Sequence, residues 1–244
     1  MKALGYNNLA FMPARGGSKS IRKKNIALLG GKPLLSYGLG QMKASRYVNR
    51  IVVDTDDREI AETANYYGAE TPYLRPSSLA EDHTSTIAVV EHALQWFKTH
   101  EGYCPDFVLL VQPTDPFVRT DQIDQLFELV LKEKADSGIT MIDVSRNNHP
   151  FHVRNMADDG CLEFDQPVLH YKHPNRQSDP KKYAFGNLYW FKTEAFLREK
   201  KLEVGKRVGL PIDALSALDI NSPLDLEIAE NLLSMACSER RIHK

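Results

Sequence analysis

Hydrophobic and polar positions follow two alternating periods along the first 144 residues. Short β-branched, apolar runs predict strands, and longer stretches with apolar residues at helical spacing predict amphipathic helices. The predicted strands are residues 9–12, 50–54, 107–111 and 137–144. The predicted helices are residues 34–44, 57–67, 84–100 and 120–134. Strands that are separated by helices favour parallel pairing, so we expect an α/β, Rossmann-like fold with a mostly parallel sheet and helices on both faces.

The regular pattern ends at about residue 144. From 145 to 182 His, Pro, Asn, Asp and Gly are frequent, and only short strands at 161–164 and 168–171 are predicted. A loop of this length is uncommon inside a compact domain and is often functional, although a plain surface loop is the alternative. We therefore divide the chain into an α/β domain, residues 1–144 and 183–244, and an insertion, residues 145–182. The domain resumes with a strand at 188–191 and ends with a helix at 223–235 that is predicted to turn Leu224, Ile228 and Leu232 inward.

Composition narrows the classes of function. The 244 residues are 42% hydrophobic and 26% charged, as in a globular protein. A net charge of −1 gives no general attraction to nucleic acid or to a membrane surface, so any anion must be bound locally. No apolar run approaches the ~20 residues that cross a bilayer, and the N-terminus lacks a signal-peptide pattern. Cys104, Cys161 and Cys237 fit neither a disulfide framework nor a zinc motif, so we expect a cytoplasmic protein.

A basic, glycine-containing loop follows the first predicted strand. Arg15, Gly16, Gly17, Ser18 and Lys19 come first, followed by further basic residues up to Lys24. Adjacent glycines allow the backbone to approach a ligand closely, and the free N–H groups of such a turn bind anions. The spacing differs from that of a Walker loop, and an ordinary surface turn is the alternative. In a parallel sheet the loops at the carboxyl ends of the strands meet at one crevice, which would hold a polyphosphate here.

Several further motifs occur in an order that spans almost the whole chain. They are Ala14 to Lys19 with Lys24 and Asn25, residues 31–34, Thr55 to Asp57, Arg75 with Pro76, Gln112 to Thr114, Arg176 with Gln177, and Asp219 with Ile220. Together they resemble the CMP-sialic acid synthetases, also called acylneuraminate cytidylyltransferases. The resemblance implies a fold of the nucleotide-diphospho-sugar transferase type and a protruding arm at 145–182 that contacts a second subunit in a homodimer.

The resemblance also implies an enzyme, a nucleotidyltransferase that transfers CMP from CTP to the anomeric hydroxyl of an acidic nonulosonate sugar and releases pyrophosphate. N-acetylneuraminate is the default acceptor. Legionaminate, pseudaminate or an eight-carbon keto-deoxy sugar acid is the alternative acceptor, and a nucleotidyltransferase for a sugar phosphate is more distant. An alternative of another class is a catalytically weak CTP-binding protein. Neither nucleic acid nor a membrane is expected as a partner.

Site residues are carried over by their match to the family motifs. The resemblance gives Arg15, Lys24, Arg176 and Asp219 catalytic roles. It places at the nucleotide Ala14, Arg15, Gly16, Gly17, Ser18, Lys19, Asn25, Arg75, Thr84 and Ser85. It places at the sugar Gln112, Arg176 and Gln177. Thr84 or Ser85 is alternatively the cap of the following helix.

The expected cofactor is Mg²⁺, held by Asp219 and Asn221. Mg²⁺ takes oxygen ligands, usually one or two carboxylates together with substrate phosphates. Alternation along an extended segment places residues 219 and 221 on one side. The family has Asp-Ile-Asp where this chain has Asn221, so we expect weaker metal binding, with a helix cap as the alternative role. The chain also has Asp115 where the family has Ser, and this acid is expected to point away from an acidic sugar or to contact an amine.

Overall fold

The computed structural model describes residues 5–173 and 176–242, and within them all side chains except those of Arg176 and residues 236–242. The strands are β1 (Asn8–Pro13), β2 (Leu28–Leu29), β3 (Lys32–Pro33), β4 (Arg50–Asp54), β5 (Phe107–Val111), β6 (Ser137–Asp143), β7 (Arg154–Met156), β8 (Leu162–Phe164), β9 (Tyr183–Lys192) and β10 (Arg207–Pro211). The helices are α1 (Leu35–Ala44), α2 (Arg58–Tyr66), α3 (Thr86–Glu101), α4 (Thr120–Lys132), α5 (Pro167–Lys172), α6 (Thr193–Glu199) and α7 (Pro223–Ile242).

A six-stranded sheet in the order β10-β6-β9-β5-β1-β4 forms the centre of the molecule. β1 pairs in parallel with β4 and β5, and β10 pairs in parallel with β6. β9 lies antiparallel between β5 and β6. All five residues of β5 are buried, as expected of a central strand that is covered on both faces. The predicted mostly parallel sheet is confirmed.

Helices cover both faces of this sheet. On one face Leu39 of α1 and Phe127 of α4 join the core around Trp190. The ring centroids of Phe127 and Trp190 are 4.5 Å apart. On the other face Phe97 of α3 and Phe196 of α6 pack against the same sheet. The alternation of strands and helices thus predicts the layers correctly. Among the described helices, none is both long and apolar enough to span a membrane.

The insertion leaves and rejoins the sheet at one place. Asp143 and Tyr183 are paired across β6 and β9, and the Val144 N–H donates to the carbonyl of Lys182 at 2.9 Å. Between them lie the β7–β8 hairpin and α5. The prediction of a strand at 168–171 is wrong, because Pro167 occupies the first position of α5, where its fixed φ favours a helix.

In the C-terminal third the sequence pattern did not predict α6 and β10, and it predicted the wrong buried face for α7. α6 has only seven residues, and β10 is an edge strand that contains a glycine and ends in a proline. α7 was predicted to bury Leu224 and Ile228, but these side chains are 63% and 41% exposed. The buried side of α7 instead carries Leu226, Ala229 and Leu233, which pack near Leu29 and Leu34.

Candidate active site

A cleft of about 630 Å³ opens at the carboxyl ends of the neighbouring parallel strands β1 and β5. It brings together most of the polar residues that the sequence singles out. The cleft-lining residues from that set are Arg15, Ser18, Lys19, Lys24, Asn25, Arg75, Thr84, Gln112, Asp219 and Asn221. The lining residues to which the sequence analysis assigned no role include Leu79, Glu81, Asp82 and Val89. Ala14, Gly16, Gly17, Ser85 and Gln177 do not line it.

The loop after β1 is held in place by hydrogen bonds from both sides. The side-chain amide of Asn25, which is buried, donates to the carbonyl of Arg15 at 2.9 Å. The backbone N–H of Gly16 donates to a carboxylate oxygen of Asp56, also at 2.9 Å. Asp57, the next residue, accepts from two backbone N–H groups at the start of α2 and therefore caps this helix. Asn25 thus supports the loop from within.

The two loop glycines differ in the space that surrounds them. Neither Gly16 nor Gly17 has a positive φ angle, so neither needs the left-handed backbone conformation that glycine permits. A Cβ added to Gly16 would lie 2.8 Å from the Cβ of Asp57, whereas a Cβ added to Gly17 would meet no atom within 4 Å. Close packing against the α2 cap therefore excludes a side chain at residue 16 but not at residue 17.

The basic residues of the loop divide into two groups. Arg15 and Lys19 line the cleft and both form ion pairs with Asp82, at 2.9 Å for Arg15. Hydrogen bonds from Lys19 and Arg15 lower the pKa of Asp82, which therefore carries its negative charge at neutral pH. Lys23 does not line the cleft and pairs with Glu59. Asp82 thus neutralises part of the positive charge of the two cations that line the cleft.

Lys24 reaches the opposite side of the cleft, where the chain returns near its C-terminus. Its ammonium group donates to the carbonyl of Ile220 at 2.9 Å and to the side-chain oxygen of Asn221 at 3.3 Å. The Asn221 amide nitrogen in turn donates to a carboxylate oxygen of Asp219 at 2.7 Å. Burial lowers the pKa of Lys24, although the nearby Asp219 acts in the opposite direction. Residues 219 and 221 therefore share one side, as the alternation predicted.

The side chain of Asn221 does not cap α7, which was the alternative role that the sequence analysis gave it. Ser222 and Asp225 form the cap of α7: the Ser222 hydroxyl accepts from the Asp225 N–H at 3.3 Å, and the Asp225 carboxylate accepts from the Ser222 N–H at 2.7 Å. The Asn221 side chain is left to connect Asp219 with Lys24.

Asp115 lies beneath this side of the cleft and is only 3% exposed. It lies in the turn between Pro113 and Pro116, in which the carbonyl of Thr114 accepts from the Ile220 N–H at 3.0 Å. Burial and then repulsion from Asp219 raise the pKa of Asp115 well above its ordinary value, while Lys24 opposes this shift. Asp115, which the sequence analysis expected to point away from an acidic sugar or to contact an amine, is thus buried and interacts electrostatically with Asp219 and Lys24.

Arg75 and Ser85 have structural partners. The Arg75 side chain is 3% exposed, pairs with Asp54 and donates to the Asp54 carbonyl at 2.7 Å. Tyr73 donates to the same carboxylate at 2.6 Å, so Arg75 supports one wall of the cleft. Ser85 caps α3 by accepting from the Ala88 N–H at 3.2 Å, which is the alternative that the sequence left open, while Thr84 lines the cleft.

The predicted sugar-side residues are spread more widely. Gln112 lines the cleft at the end of β5. Gln177 is exposed on the insertion and does not line the cleft of its own chain. Arg176 belongs to the same 3-10 turn, Arg176–Ser178, and its side chain lies outside the described part of the chain.

No group of three or more His, Cys, Asp or Glu side chains is arranged to hold a metal ion in the part of the chain that the structure describes. Three carboxylates line the cleft, those of Glu81, Asp82 and Asp219, and the buried Asp115 interacts electrostatically with Asp219. Two carboxylates suit a hard cation that takes its remaining oxygens from a ligand and from water. The residues present therefore fit a divalent cation that is bound together with a phosphate.

Comparison with protein families matches residues 9–207 to the family model described as cytidylyltransferase. The N-acylneuraminate cytidylyltransferase of Escherichia coli is 30% identical over 91% of this chain, and the chain spans only about half of that relative, 51%. The CMP-N,N'-diacetyllegionaminic acid synthase of Legionella pneumophila is 31% identical over 93% of this chain and 96% of its own length.

A solved structure shares the fold at much lower identity. It is a CMP:2-keto-3-deoxy-manno-octonic acid synthetase complexed with CTP, with a TM-score of 0.69 and 13% identity, covering 94% of this chain and 99% of the other. The overall fold is therefore shared with a protein of low sequence identity.

The loop glycines give a matched pair of substitutions. We expect Gly16→Ala to lower the free energy of unfolding by about 1–3 kcal/mol, because the new methyl group displaces the Asp57 cap. Gly17→Ala should change it by less than about 0.5 kcal/mol, since its Cβ would enter open space. Urea unfolding of both variants measures the difference. Equal losses at the two positions would contradict the packing argument.

Proposed function

The chain belongs to the cytidylyltransferase family, and we propose that it transfers CMP from CTP to the anomeric hydroxyl of an acidic nonulosonate sugar. The observation that carries the proposal is the convergence of Arg15, Lys19 and Lys24 with Asp219 on one cleft. Cations alone would suit many anions. Cations that face a carboxylate across the same cleft suit a triphosphate that is bound together with a divalent cation.

In this proposal the loop after β1 binds the triphosphate. Arg15 and Lys19 exchange Asp82 for phosphate oxygens, so charges that are already paired are re-paired instead of being exposed. A guanidinium group can bind two oxygens at once, which fixes orientation as well as charge. The residues on the other wall, Thr84 and Thr86, offer hydroxyl groups to the nucleoside.

The reaction forms a bond between the sugar hydroxyl oxygen and the α-phosphorus and breaks the bond from that phosphorus to the bridging oxygen of pyrophosphate. The hydroxyl proton leaves to solvent. Such transfers depend chiefly on positioning and on neutralising the charge of the phosphate oxygens. Arg15 and Lys24 supply positive charge from two sides, and Gln112, at the end of β5, lies where it can orient the acceptor.

A divalent cation, with Mg²⁺ as the default, would be held on the Asp219 side and would supply charge neutralisation between the phosphates. The protein's part is to keep this side anionic while the loop side stays cationic. Lys24 lies between the two sides because it donates to the Ile220 carbonyl next to Asp219.

The assembly that we propose is a homodimer formed through the insertion at 145–182. The support is a set of large apolar side chains that are exposed on the insertion, Met156, Leu162, Val168 and Tyr171. An insertion that contacts a second subunit would cover them and bring Gln177 and Arg176 near a neighbouring cleft. Sedimentation velocity at micromolar concentration should give the mass of a dimer, and a monomer would contradict this part.

The activity is tested by incubating the protein with CTP, Mg²⁺ and a panel of N-acetylneuraminate, legionaminate, pseudaminate and an eight-carbon keto-deoxy sugar acid. We expect pyrophosphate release with at least one nonulosonate. Binding of CTP without release for any acceptor would favour the alternative of a CTP-binding protein. Arg15→Met should lower kcat/KM roughly a hundredfold, as loss of one well-placed positive group does. Lys23→Met is the matched control from the same loop and should leave kcat/KM unchanged.

Asp82 gives a second test, in which a substitution improves binding. We expect Asp82→Asn to tighten CTP binding about two- to fivefold, because Arg15 and Lys19 no longer have to leave an exposed ion pair. Glu81→Gln is the control: it removes a neighbouring cleft charge that does not pair with either cation, and it should change the affinity less. Isothermal titration calorimetry measures both variants, and weaker binding by Asp82→Asn would contradict the exchange.

A further inference from the structure

The segment that connects β10 to α7, residues 212–222, carries Asp219 and Asn221 into the cleft. One contact fixes it near its end, where the buried Ile220 donates its N–H to the carbonyl of Thr114 at 3.0 Å. A single hydrogen bond fixes a position but not a direction. The direction in which Asp219 extends into the cleft therefore depends on a second contact earlier in the segment.

The second contact is made by the carbonyl of Ser216, which accepts from the side-chain amide of Asn187 at 2.6 Å. Asn187 belongs to β9 and is only 1% exposed, and Ser216 is buried as well. The next residue of β9, Leu188, pairs with Val111, the last residue of β5, so Asn187 lies level with the end of β5 where the cleft opens. Breaking such a buried hydrogen bond is costly, because water does not replace the lost partner.

A bulge between β6 and β9 aims the Asn187 side chain. The register of the two strands shifts at Thr140 of β6, which lies opposite residues 186–188 of β9. The Thr140 hydroxyl accepts from the backbone N–H groups of Asn187 and Leu188 and donates to the side-chain oxygen of Asn187, each at 2.9 Å. Both lone pairs and the proton of the hydroxyl are thus used, and the Asn187 amide must present its nitrogen to Ser216.

Arg119 holds the same segment from the solvent side. Its guanidinium group donates to the Ser216 hydroxyl and to a carboxylate oxygen of Asp213, each at 2.7 Å. The side chains of Arg119 and Asp213 are both about half exposed, and ion pairs that are so exposed contribute little to stability. The buried contact from Asn187 is therefore the stronger constraint on the position of Ser216.

We propose that Asn187 is a positioning residue: oriented by Thr140, it holds Ser216 and thereby sets the direction in which Asp219 extends toward the bound triphosphate. The inference rests on the proposed function, because its consequence is for the transfer of CMP. Asn187 does not line the cleft, so it acts through the segment and not on the substrate. A displacement of about 1 Å at a reacting centre can cost roughly a hundredfold in rate, so a residue behind the cleft can be decisive.

The test compares pyrophosphate release by the wild type, Asn187→Ala, Thr140→Val and Thr140→Ser. Asn187→Ala and Thr140→Val should lower kcat at least about tenfold, because Asp219 is no longer held in place. The KM for CTP should change less than about threefold, because Arg15 and Lys19 still bind the phosphates. Thr140→Ser retains the hydroxyl group and should keep kcat within about threefold of wild type.

The matched control is Ser137→Ala, at the amino end of β6, on the side of the sheet opposite the cleft. The Ser137 hydroxyl donates to the Val204 carbonyl at 2.9 Å and accepts from the Val204 N–H at 3.0 Å, and both residues are buried. Ser137→Ala and Asn187→Ala should both lower the midpoint of thermal unfolding, by about 2–6 °C. Only Asn187→Ala should lower kcat, which separates positioning from a loss of stability.

Hydrogen exchange measures the segment without relying on activity. In Asn187→Ala and Thr140→Val the backbone amides of residues 216–221 should exchange at least about threefold faster than in wild type, and in Ser137→Ala they should not. Unchanged exchange in Asn187→Ala, a kcat of Asn187→Ala within about twofold of wild type, or an equal loss of kcat in Ser137→Ala would overturn the assignment. If the wild type releases no pyrophosphate with any acceptor, the proposed function fails, whereas the exchange result still decides whether Asn187 holds the segment.

Discussion

The peptide group of Ile220 is the contact on which the cleft depends. Its N–H donates to the carbonyl of Thr114 at 3.0 Å, and the carbonyl of Ile220 accepts from the Lys24 ammonium group at 2.9 Å. Three segments that are far apart in sequence are thereby joined: the loop after β1, the turn after β5 and the segment before α7. Ile220 itself is buried against Leu29 and Leu34, which fixes the peptide from the apolar side. Without this contact the basic loop and the Asp219 carboxylate would have no fixed separation.

Charge pairing within the cleft explains how so many ionised groups remain close together. On the loop side Arg15 and Lys19 share Asp82, and on the far side Asn221 connects Lys24 with Asp219. These pairs are partly exposed, so each contributes little to stability and can be exchanged for a ligand at low cost. Asp115 is the exception, since it is buried and lacks such a partner. The two cations on the loop side thus share one carboxylate, and on the far side Lys24 lies near the negative charge of Asp219.

Much of this architecture follows from the sequence. The α/β class and the mostly parallel sheet are confirmed because apolar runs such as residues 107–111 leave a strong local signal. The family is confirmed as well, since its motifs span the chain. The antiparallel direction of β9 and the helix α5 were not predicted, because strand direction depends on pairing partners and a six-residue helix is too short for a periodic pattern. The face of α7 was misplaced because apolar residues occur on two of its sides, and packing against Leu29 and Leu34 selects one of them.

The sequence predicted which residues belong to the site, but not which of their side chains contact one another. Arg15, Lys24 and Asp219 were chosen from the sequence, and the structure brings them to one cleft, while their roles stay predictions. Asp82 belongs to no motif in the sequence, because its role depends on the ion pairs that it forms with Arg15 and Lys19 in the folded chain. Arg75 was assigned to the nucleotide and lines the cleft, but its ion pair with Asp54 could not be predicted from the sequence. Such pairings depend on tertiary contacts between residues far apart in sequence, which a linear pattern does not record.

The most direct test of the central claim, that the loop after β1 and the Asp219 side bind one nucleoside triphosphate between them, is a crystal structure with CTP and Mn²⁺ in which the anomalous signal locates the metal. The account predicts that the triphosphate contacts Arg15 and the loop backbone while the Mn²⁺ peak lies in the coordination sphere of Asp219. A triphosphate bound away from Arg15, or a Mn²⁺ peak remote from Asp219, would contradict it.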